Sequence, residues 1–588
     1  MIGKFRFRLT ALMTALPLAL QGCIMDSSNG ASVSPPAPTA SVSPQDALAT
    51  ATPIKHVVVI FGENRSFDHY FGTYPTATNP AGEEAFNAAA GTPTPNNLVS
   101  ANLLTNNPNF TNTANGTGAA NPFRLDPTQA ATADHTHAYT AEQQAYDNGM
   151  ADLFPKYTGT VGTGGVGAFG TTGQVMGYFD GNTVTALWNY AQHFAMSDNA
   201  YTDTYGPSTP GALEVVGGQT NGMLSIVNTT NQPPFTLVTA PGTTYNPWNS
   251  YYINDGQGGF TLINNADSGY DLCSSTTNQI LMSGKNIGDL LNANGVTWGG
   301  FMGGFNLTTT NANGTTGCKR STYSDVVRQI VPDYIQHHMW FQYYKTTANP
   351  THARPSSVAV IGYTLEPNSQ TADPANHQYG MNDFFAAVEA GNYPSVSYLK
   401  APGYQDGHPG YSNPLDEQAF VTKVVNFLQQ QPDWKNTAVI VVWDDSDGWY
   451  DHAYTTPTSA SYDAQADQVN GSGMCGTGQA QLPGVNGKPV NGRCGPGTRI
   501  PLIVISPWAK TNYISHVQVS LSSVARFIED NWLGGQRLGG GSWDATAGSL
   551  MDLFNFSGSG NVPPLYLDPT LGKVLSAPPA GSSMPTSS

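Results

Sequence analysis

Six short apolar runs punctuate an otherwise polar chain, at residues 54–61, 296–301, 358–363, 396–399, 438–443 and 500–505. Their Val and Ile residues follow one another instead of alternating with polar ones. That pattern marks strands buried on both faces, and hence a parallel sheet. Helical spacing occupies the stretches between them, at 288–294, 381–389, 416–430 and 521–532. Strands that alternate with helices predict the α/β class, as a three-layer sandwich around a mostly parallel central sheet. Residues 80–133, 156–183 and 218–280 are rich in Gly, Asn and Thr and read as long polar surface insertions.

The two ends carry different patterns. Lys4, Arg6 and Arg8 precede an apolar run at 9–20 that is too short to span a membrane comfortably. This is the layout of an export signal, predicted to cover 1–22. Leu20-Gln21-Gly22-Cys23 resembles a lipobox, with Gln21 departing from the usual small residue, so Cys23 is the expected site of lipidation. The plainer alternative is an ordinary signal peptide followed by a chance Cys. Residues 23–52, rich in Ser, Pro, Ala and Thr, read as a flexible tether, and 576–588 as a disordered tail. A single catalytic domain, 53–575, is expected between them.

Composition narrows the function. The chain has 588 residues, of which 11% are charged and 39% hydrophobic. That is too apolar for a disordered chain and ample for a large core. A net charge of −17 argues against nucleic-acid binding. An anionic substrate would need a local cationic site, from a metal or clustered His and Arg. Beyond Cys23, four cysteines remain, an even set that points to two disulfides in an exported chain. Three pairings are possible. Cys475 and Cys494 flank a Gly-rich stretch and are the expected pair, leaving Cys273 with Cys318. Zinc ligation is the rival, without any CxxC spacing to support it.

Two of the apolar runs end abruptly in acid, one at Gly62-Glu63-Asn64-Arg65 and the other at Trp443-Asp444-Asp445-Ser446-Asp447-Gly448. Ligands of open parallel sheets bind beyond the carboxyl ends of the strands, and carboxylates there are costly to desolvate unless they pair or hold a metal. The hard oxygen donors Glu63, Asn64, Asp444 and Asp445 suit a divalent cation. The competing reading is plain turn chemistry, for which Asp-Asp-Ser-Asp-Gly is well suited. In Gly206-Pro207-Ser208-Thr209-Pro210, Thr209 is expected to cap a helix starting at Pro210. That would place Ser208 at a positive helix end, as a potential nucleophile beside a metal or as a mere part of the cap. His137, His337, His338 and His408 are candidate phosphate-binding or proton-transferring groups, although single histidines are more often structural.

The stretches IKHVVVIFGENRSFDHYFGTYP, DHTHAYTAEQQAYDNG, YGPSTPGALEVVGGQT, DYIQHHMWFQYY, ANHQYGMNDF, LKAPGYQDGHPGYSNPLDEQ, VVWDDSDGWYDH and ISPWAKTNYISH occur in order between Ile54 and His516. Together they resemble the bacterial phosphoesterase family that groups respiratory-burst-inhibiting acid phosphatases with phospholipases C. The resemblance implies an alkaline-phosphatase-like α/β fold and one divalent metal ion held by Glu63, Asn64, Asp444 and Asp445. It makes Ser208 the nucleophile, also near the metal. His338 and His408 become candidate proton donors to the leaving group, and His137 and His337 candidate phosphate binders. His135 and His452 sit in matching motifs without an evident role. The phospholipase branch has Pro-Thr-x-Pro-Asn-Arg at the nucleophile, where this chain has Pro207-Ser208-Thr209-Pro210-Gly211. Met339-Trp340 after the His pair also departs from the family pattern. The implied activity is hydrolysis of phosphate esters by a broad-specificity acid phosphatase outside the cytoplasm, with membrane contact only through the lipid anchor. The alternatives are a phospholipase C-type phosphodiesterase and an inactive surface-binding lipoprotein. A sulfatase is weaker, since no Cys-x-Pro-x-Arg motif occurs.

Overall fold

The computed structural model describes residues 45–159, 170–227, 235–238, 246 and 250–579. The expected signal, Cys23, most of the tether and residues 580–588 of the tail lie outside the described residues.

The central sheet is built on His56–Gly62 (β1), every residue of which is buried. Its other strands are Ala195–Tyr201 (β2), Trp298–Met302 (β3), Gln378–Gly380 (β4), Val396–Lys400 (β5), Thr437–Trp443 (β6), Arg499–Ile505 (β7) and Tyr513–Ser515 (β8). They run in the order β4-β3-β5-β1-β6-β7-β2-β8, and the short strand Val519–Ser520 also pairs with β2. All neighbours are parallel except β7, which runs antiparallel to both β6 and β2. Gly62 lies opposite Trp443 and Ile60 opposite Leu399. This register makes Glu63, Asp444 and Lys400 leave the sheet side by side.

A sheet buried on both faces needs two helical covers. Thr185–His193 (α1) packs with Pro414–Leu428 (α5), whereas Ser208–Gly217 (α2) packs with Ile287–Ala293 (α3) and Ser522–Trp532 (α6). Met381–Glu389 (α4) lies against β3 and β4. Asn413 starts α5 by accepting from the N–H groups of Leu415 and Asp416, with Pro414 in the first turn. Asn286 and Asp289 form a reciprocal cap on α3.

The structure departs from the pattern reading in four places. Residues 358–363 are no strand: Val358–Val360 makes a short 3₁₀ turn, and Gln378–Gly380 takes the place beside β3. Pro355 precedes the run and Gly362 has φ +88°, so the backbone cannot stay extended. The strand Ala195–Tyr201 was hidden by its Ser, Asp and Asn residues. The stretch 218–280 is more than a surface insertion. It supplies a second sheet in the order Tyr252–Asn254, Phe260–Leu262, Asn221–Val227, Gln279–Met282, Asp267–Ser268, with Thr236–Leu237 beside Asn221–Val227. Finally, the expected tether is fixed from Gln45 onward. Asp46 Oδ1 lies 3.0 Å from His56 Nε2, and Thr52 donates to Asn531 Oδ1. Disulfides join Cys273 to Cys318 and Cys475 to Cys494.

Candidate active site

The site lies beyond the carboxyl ends of β1, β5 and β6. Asn64 turns the chain there with φ +58°, a left-handed conformation that Asn tolerates better than most residues. Its N–H donates to Asp444 Oδ1 at 2.9 Å, tying the two strand ends together. Its carboxamide oxygen stands 2.6 Å from Glu63 Oε2 and 3.2 and 3.3 Å from the two Asp444 oxygens. Ser208 Oγ is 3.3 Å from the same oxygen and 3.2 Å from Asp445 Oδ2. Oxygens brought this close with few protons among them repel unless a cation lies between them, or unless the amide turns over to offer N–H groups. The donor set Glu63, Asn64, Asp444, Asp445 and Ser208 is all oxygen and fits a hard divalent cation.

All five residues are buried. Burial raises the Glu63 and Asp445 pKa values well above the carboxylate range, and the charge of Asp444 adds to this in both. Burial also opposes ionisation of Asp444, but Lys400 and hydrogen bonds from Glu63 and the Asn64 N–H outweigh it and hold that group low. The Lys400 ammonium contacts Glu63 Oε1 and lies 3.4 Å from Gly62 O, so it partly neutralises this acidic end of the site.

Helix α2 brings Ser208 in. It starts at Ser208, with Pro207 as its cap, and not at Pro210 as expected. Thr209 does not cap it. Asn265 Oδ1 accepts from the Thr209 N–H at 2.9 Å, while the Thr209 hydroxyl lies 3.4 Å from Ala266 O. A Cβ on Gly211 would meet Asp444 O at 2.3 Å, so only Gly lets α2 approach the end of β6 this closely. Glu142 joins the two loops. It accepts from Ser446 Oγ at 2.6 Å and from the Gly206 N–H at 2.9 Å. Gly206 itself has φ +125°, out of reach for a side-chain-bearing residue.

The histidines ring the same site. His408 Nε2 and His137 Nε2 lie 3.1 and 3.4 Å from the far end of the Asn64 amide. His338 Nδ1 is 3.1 Å from Glu63 Oε1, yet at an angle that closes no hydrogen bond, so both of its buried ring nitrogens stay unpaired. His337 and His338 are adjacent in sequence, but their rings meet edge to face at 4.3 Å because a 3₁₀ turn ends at His338. Burial depresses His408 to about 4, His337 to about 3 and His338 well below its ordinary value. Burial opposes charge on His137 as well, but Asp447 and Asp134 prevail and raise it. Of these four histidines, His137 alone is shifted toward its charged form. His135 bonds to Asp447 Oδ2, and His452 pairs with Asp68 in a separate buried network with Arg499 and Asp451.

Five residues at the site went unassigned in the sequence: Lys400, Asp447, Glu142, Asp134 and Asp406, whose backbone O accepts from the Glu63 N–H. A Lys closing the apolar strand Val396–Lys400 was the one visible signal, since a cation at a buried strand end requires an anion opposite.

Comparison with known families matches residues 54–533 to the Phosphoesterase family. The chain belongs to the phosphoesterase family. Among curated members it is 24% identical over 557 residues to the non-hemolytic phospholipase C of Burkholderia pseudomallei, covering 91% of this chain and 65% of that protein. The corresponding protein of Pseudomonas aeruginosa is 23% identical, covering 90% and 63%. The hemolytic phospholipase C of P. aeruginosa is 33% identical over 184 residues, 31% of this chain and 23% of that protein. The chain thus spans less than two thirds of the length of the first two relatives.

Proposed function

We propose that this phosphoesterase hydrolyses phosphate esters through Ser208, with one divalent metal ion held by Glu63, Asn64, Asp444 and Asp445 on an alkaline-phosphatase-like fold. The observation that carries the reading is the position of Ser208 Oγ, 3.3 Å from Asn64 Oδ1 and 3.2 Å from Asp445 Oδ2, at the first turn of a helix. A metal there would lower the hydroxyl pKa and neutralise charge on the phosphoryl oxygens. Ser208 loses its hydroxyl proton to solvent, its Oγ attacks phosphorus, the bond to the leaving alkoxide breaks, and the alkoxide takes a proton from an imidazolium, which regains one from the water that attacks next. Water then cleaves the phosphoserine and releases phosphate. His137 carries positive charge to the phosphate, with His337 beside it. His408 and His338 serve as proton donors once a bound phosphate dianion supplies the counter-charge that burial withholds.

Phosphomonoesters are the proposed substrates, because Ser208-Thr209-Pro210-Gly211 departs from the phospholipase pattern. The second reading, a phospholipase C-type phosphodiesterase, is favoured by the names of the relatives. Export, lipidation of Cys23 and placement at the cell envelope complete the proposal, on the strength of residues 1–23. The deciding experiment is an activity panel with added divalent metals, covering a phosphomonoester, a phosphodiester, phosphatidylcholine and a sulfate ester. Monoester turnover well above diester turnover supports the reading; the reverse ratio selects the phosphodiesterase. No turnover on any substrate with any metal overturns both in favour of a binding protein.

A further inference from the structure

Each carboxylate of the proposed metal site has one oxygen already engaged. Glu63 Oε1 contacts the ammonium of Lys400, whereas Glu63 Oε2 stands 2.6 Å from the Asn64 carboxamide oxygen. Asp444 Oδ1 accepts from the Asn64 N–H at 2.9 Å. Asp445 Oδ1 accepts from the Asp447 N–H at 2.7 Å, whereas Asp445 Oδ2 faces Ser208 Oγ at 3.2 Å. Asn64 Nδ2 donates to Asp447 Oδ1 at 3.3 Å, which keeps the amide oxygen turned toward the acids. Glu63 Oε2, Asp444 Oδ2, Asp445 Oδ2, Asn64 Oδ1 and Ser208 Oγ thus have no hydrogen-bond donor outside their own set among the described residues.

Two of the engaged oxygens are held by backbone N–H groups, and only that of Glu63 by a side chain. Lys400 ends β5, beside β1, and is fully buried. Its ammonium lies 4.8 Å from the centroid of the Phe61 ring and 3.4 Å from Gly62 O. The Asp406 carboxylate also acts on Lys400, but it is bound elsewhere, by the His408 N–H at 3.0 Å and the Tyr411 hydroxyl at 2.9 Å. His338 Nδ1 stands 3.1 Å from the same Glu63 oxygen. A metal ion cannot share Glu63 Oε1 without coming up against the ammonium in a buried site, where like charges repel far more than in water.

We infer, resting on the metal reading above, that Lys400 makes Glu63 a one-oxygen ligand and so selects a small six-coordinate ion, Mg²⁺ or Mn²⁺, against Ca²⁺. Mg²⁺ demands near-ideal octahedral geometry, whereas Ca²⁺ takes about six to eight oxygens and gathers many of them from bidentate carboxylates. A buried site whose carboxylates each offer one oxygen cannot widen its shell in that way. The free oxygens of Glu63, Asn64, Asp444, Asp445 and Ser208 instead leave room for a phosphate oxygen on a six-coordinate ion. Lys400 is in this sense a positioning residue: it acts on the ion only through Glu63.

The test is calorimetric titration of the chelator-treated protein with Mg²⁺, Mn²⁺ and Ca²⁺, and it reads binding instead of turnover. Wild type should bind Mg²⁺ and Mn²⁺ roughly tenfold or more tightly than Ca²⁺. Ca²⁺ bound as tightly as Mg²⁺ overturns the inference, and this comparison stands on its own should a variant not fold. Lys400→Met removes the charge and frees Glu63 Oε1, so the preference for Mg²⁺ over Ca²⁺ should fall roughly tenfold. Lys400→Gln can still donate to that oxygen and should keep most of the preference. An unchanged preference in Lys400→Met with native circular dichroism overturns the role of Lys400. Equal losses in the two variants overturn it as well, because the charge and not the blocked oxygen would then decide. No divalent ion bound by wild type, or binding that survives Asp444→Ala, is the distinct failure of the metal reading, and the inference falls with it.

Discussion

Glu142→Ala separates positioning from stability. The substitution leaves the Ser446 hydroxyl and the Gly206 N–H buried without their acceptor. Each orphaned donor costs about 1–3 kcal/mol, hence about 2–6 kcal/mol together. Against this stands the cost of the carboxylate itself. Burial raises Glu142 from 4.5 to about 7, despite the hydrogen bonds from Ser446 and Gly206. That shift corresponds to about 3 kcal/mol, which the alanine variant recovers. The net loss of stability should therefore be no more than about 3 kcal/mol, and the protein should still fold. Catalysis has no such offset. Glu142 holds the loop before Ser208 against the loop after Asp445, and a shift of about 1 Å between reacting groups costs on the order of 100-fold in rate. Urea unfolding followed by Trp fluorescence would give the first quantity, and kcat/KM on a soluble phosphomonoester the second. Elemental analysis should find the metal retained, since Glu142 is not among the proposed ligands. A variant with kcat/KM within threefold of wild type would refute the clamp. So would a variant whose activity falls only in proportion to its unfolded fraction.

Four further outcomes are expected. Ser208→Ala should lose several powers of ten in turnover while keeping its metal, and acid-quenched wild type should carry substrate phosphate on the Ser208 peptide where the variant carries none. Asp444→Ala should lose the metal, by elemental analysis, while circular dichroism stays native, because its removal breaks the donor set at the junction of β1 and β6. Burial and Asp544 raise Glu529 to about 9, so the folded state holds a proton that the unfolded state releases above about 4.5. Stability from this group is complete below pH 4.5 and is lost as pH rises to 9, by no more than about 1.4 kcal/mol per unit; Glu529→Gln should flatten that part of an unfolding-versus-pH curve. Cys494→Ser opens a loop with a sequence separation of 19 and should cost about 3 kcal/mol, read by denaturant midpoint under non-reducing conditions.

The core strands were legible because burial on both faces demands unbroken Val and Ile, as in β1 and β6, whose residues are all buried. Pattern failed where an edge or a tertiary partner decides. Ala195–Tyr201 is a strand despite Ser197, Asp198 and Asn199, because β7 and β8 pair with it from both sides. The run 358–363 had the composition of a strand but had Gln378–Gly380 as a competitor for the edge of β3. At the site, the acidic strand ends were visible, since acids after buried runs need an explanation. Glu142 was not, because it acts on Ser446 far away in sequence, and Lys400 showed only as a cation closing a buried strand, its partner Glu63 being equally distant. The start of α2 was misplaced for the same reason. Asn265, not Thr209, supplies the acceptor for the first turn.

The place of β1 in the sheet bears on how the molecule comes to be folded at all. This strand is the earliest of the central sheet in the chain and lies in its middle, between β5 and β6. Lys400 bonds to Gly62 across 338 positions, and Asn64 to Asp447 across 383. Both partners of β1 are thus made late, and such distant pairings close slowly because the loop entropy must be met first. Until residues 437–443 exist, β1 is an apolar strand with at least one open edge. A growing chain consequently lacks the paired centre of this sheet until residue 443 has been made. The oxygen cluster itself comes together only once Asp444 and Asp445 have been made and can join Glu63, Asn64 and Ser208.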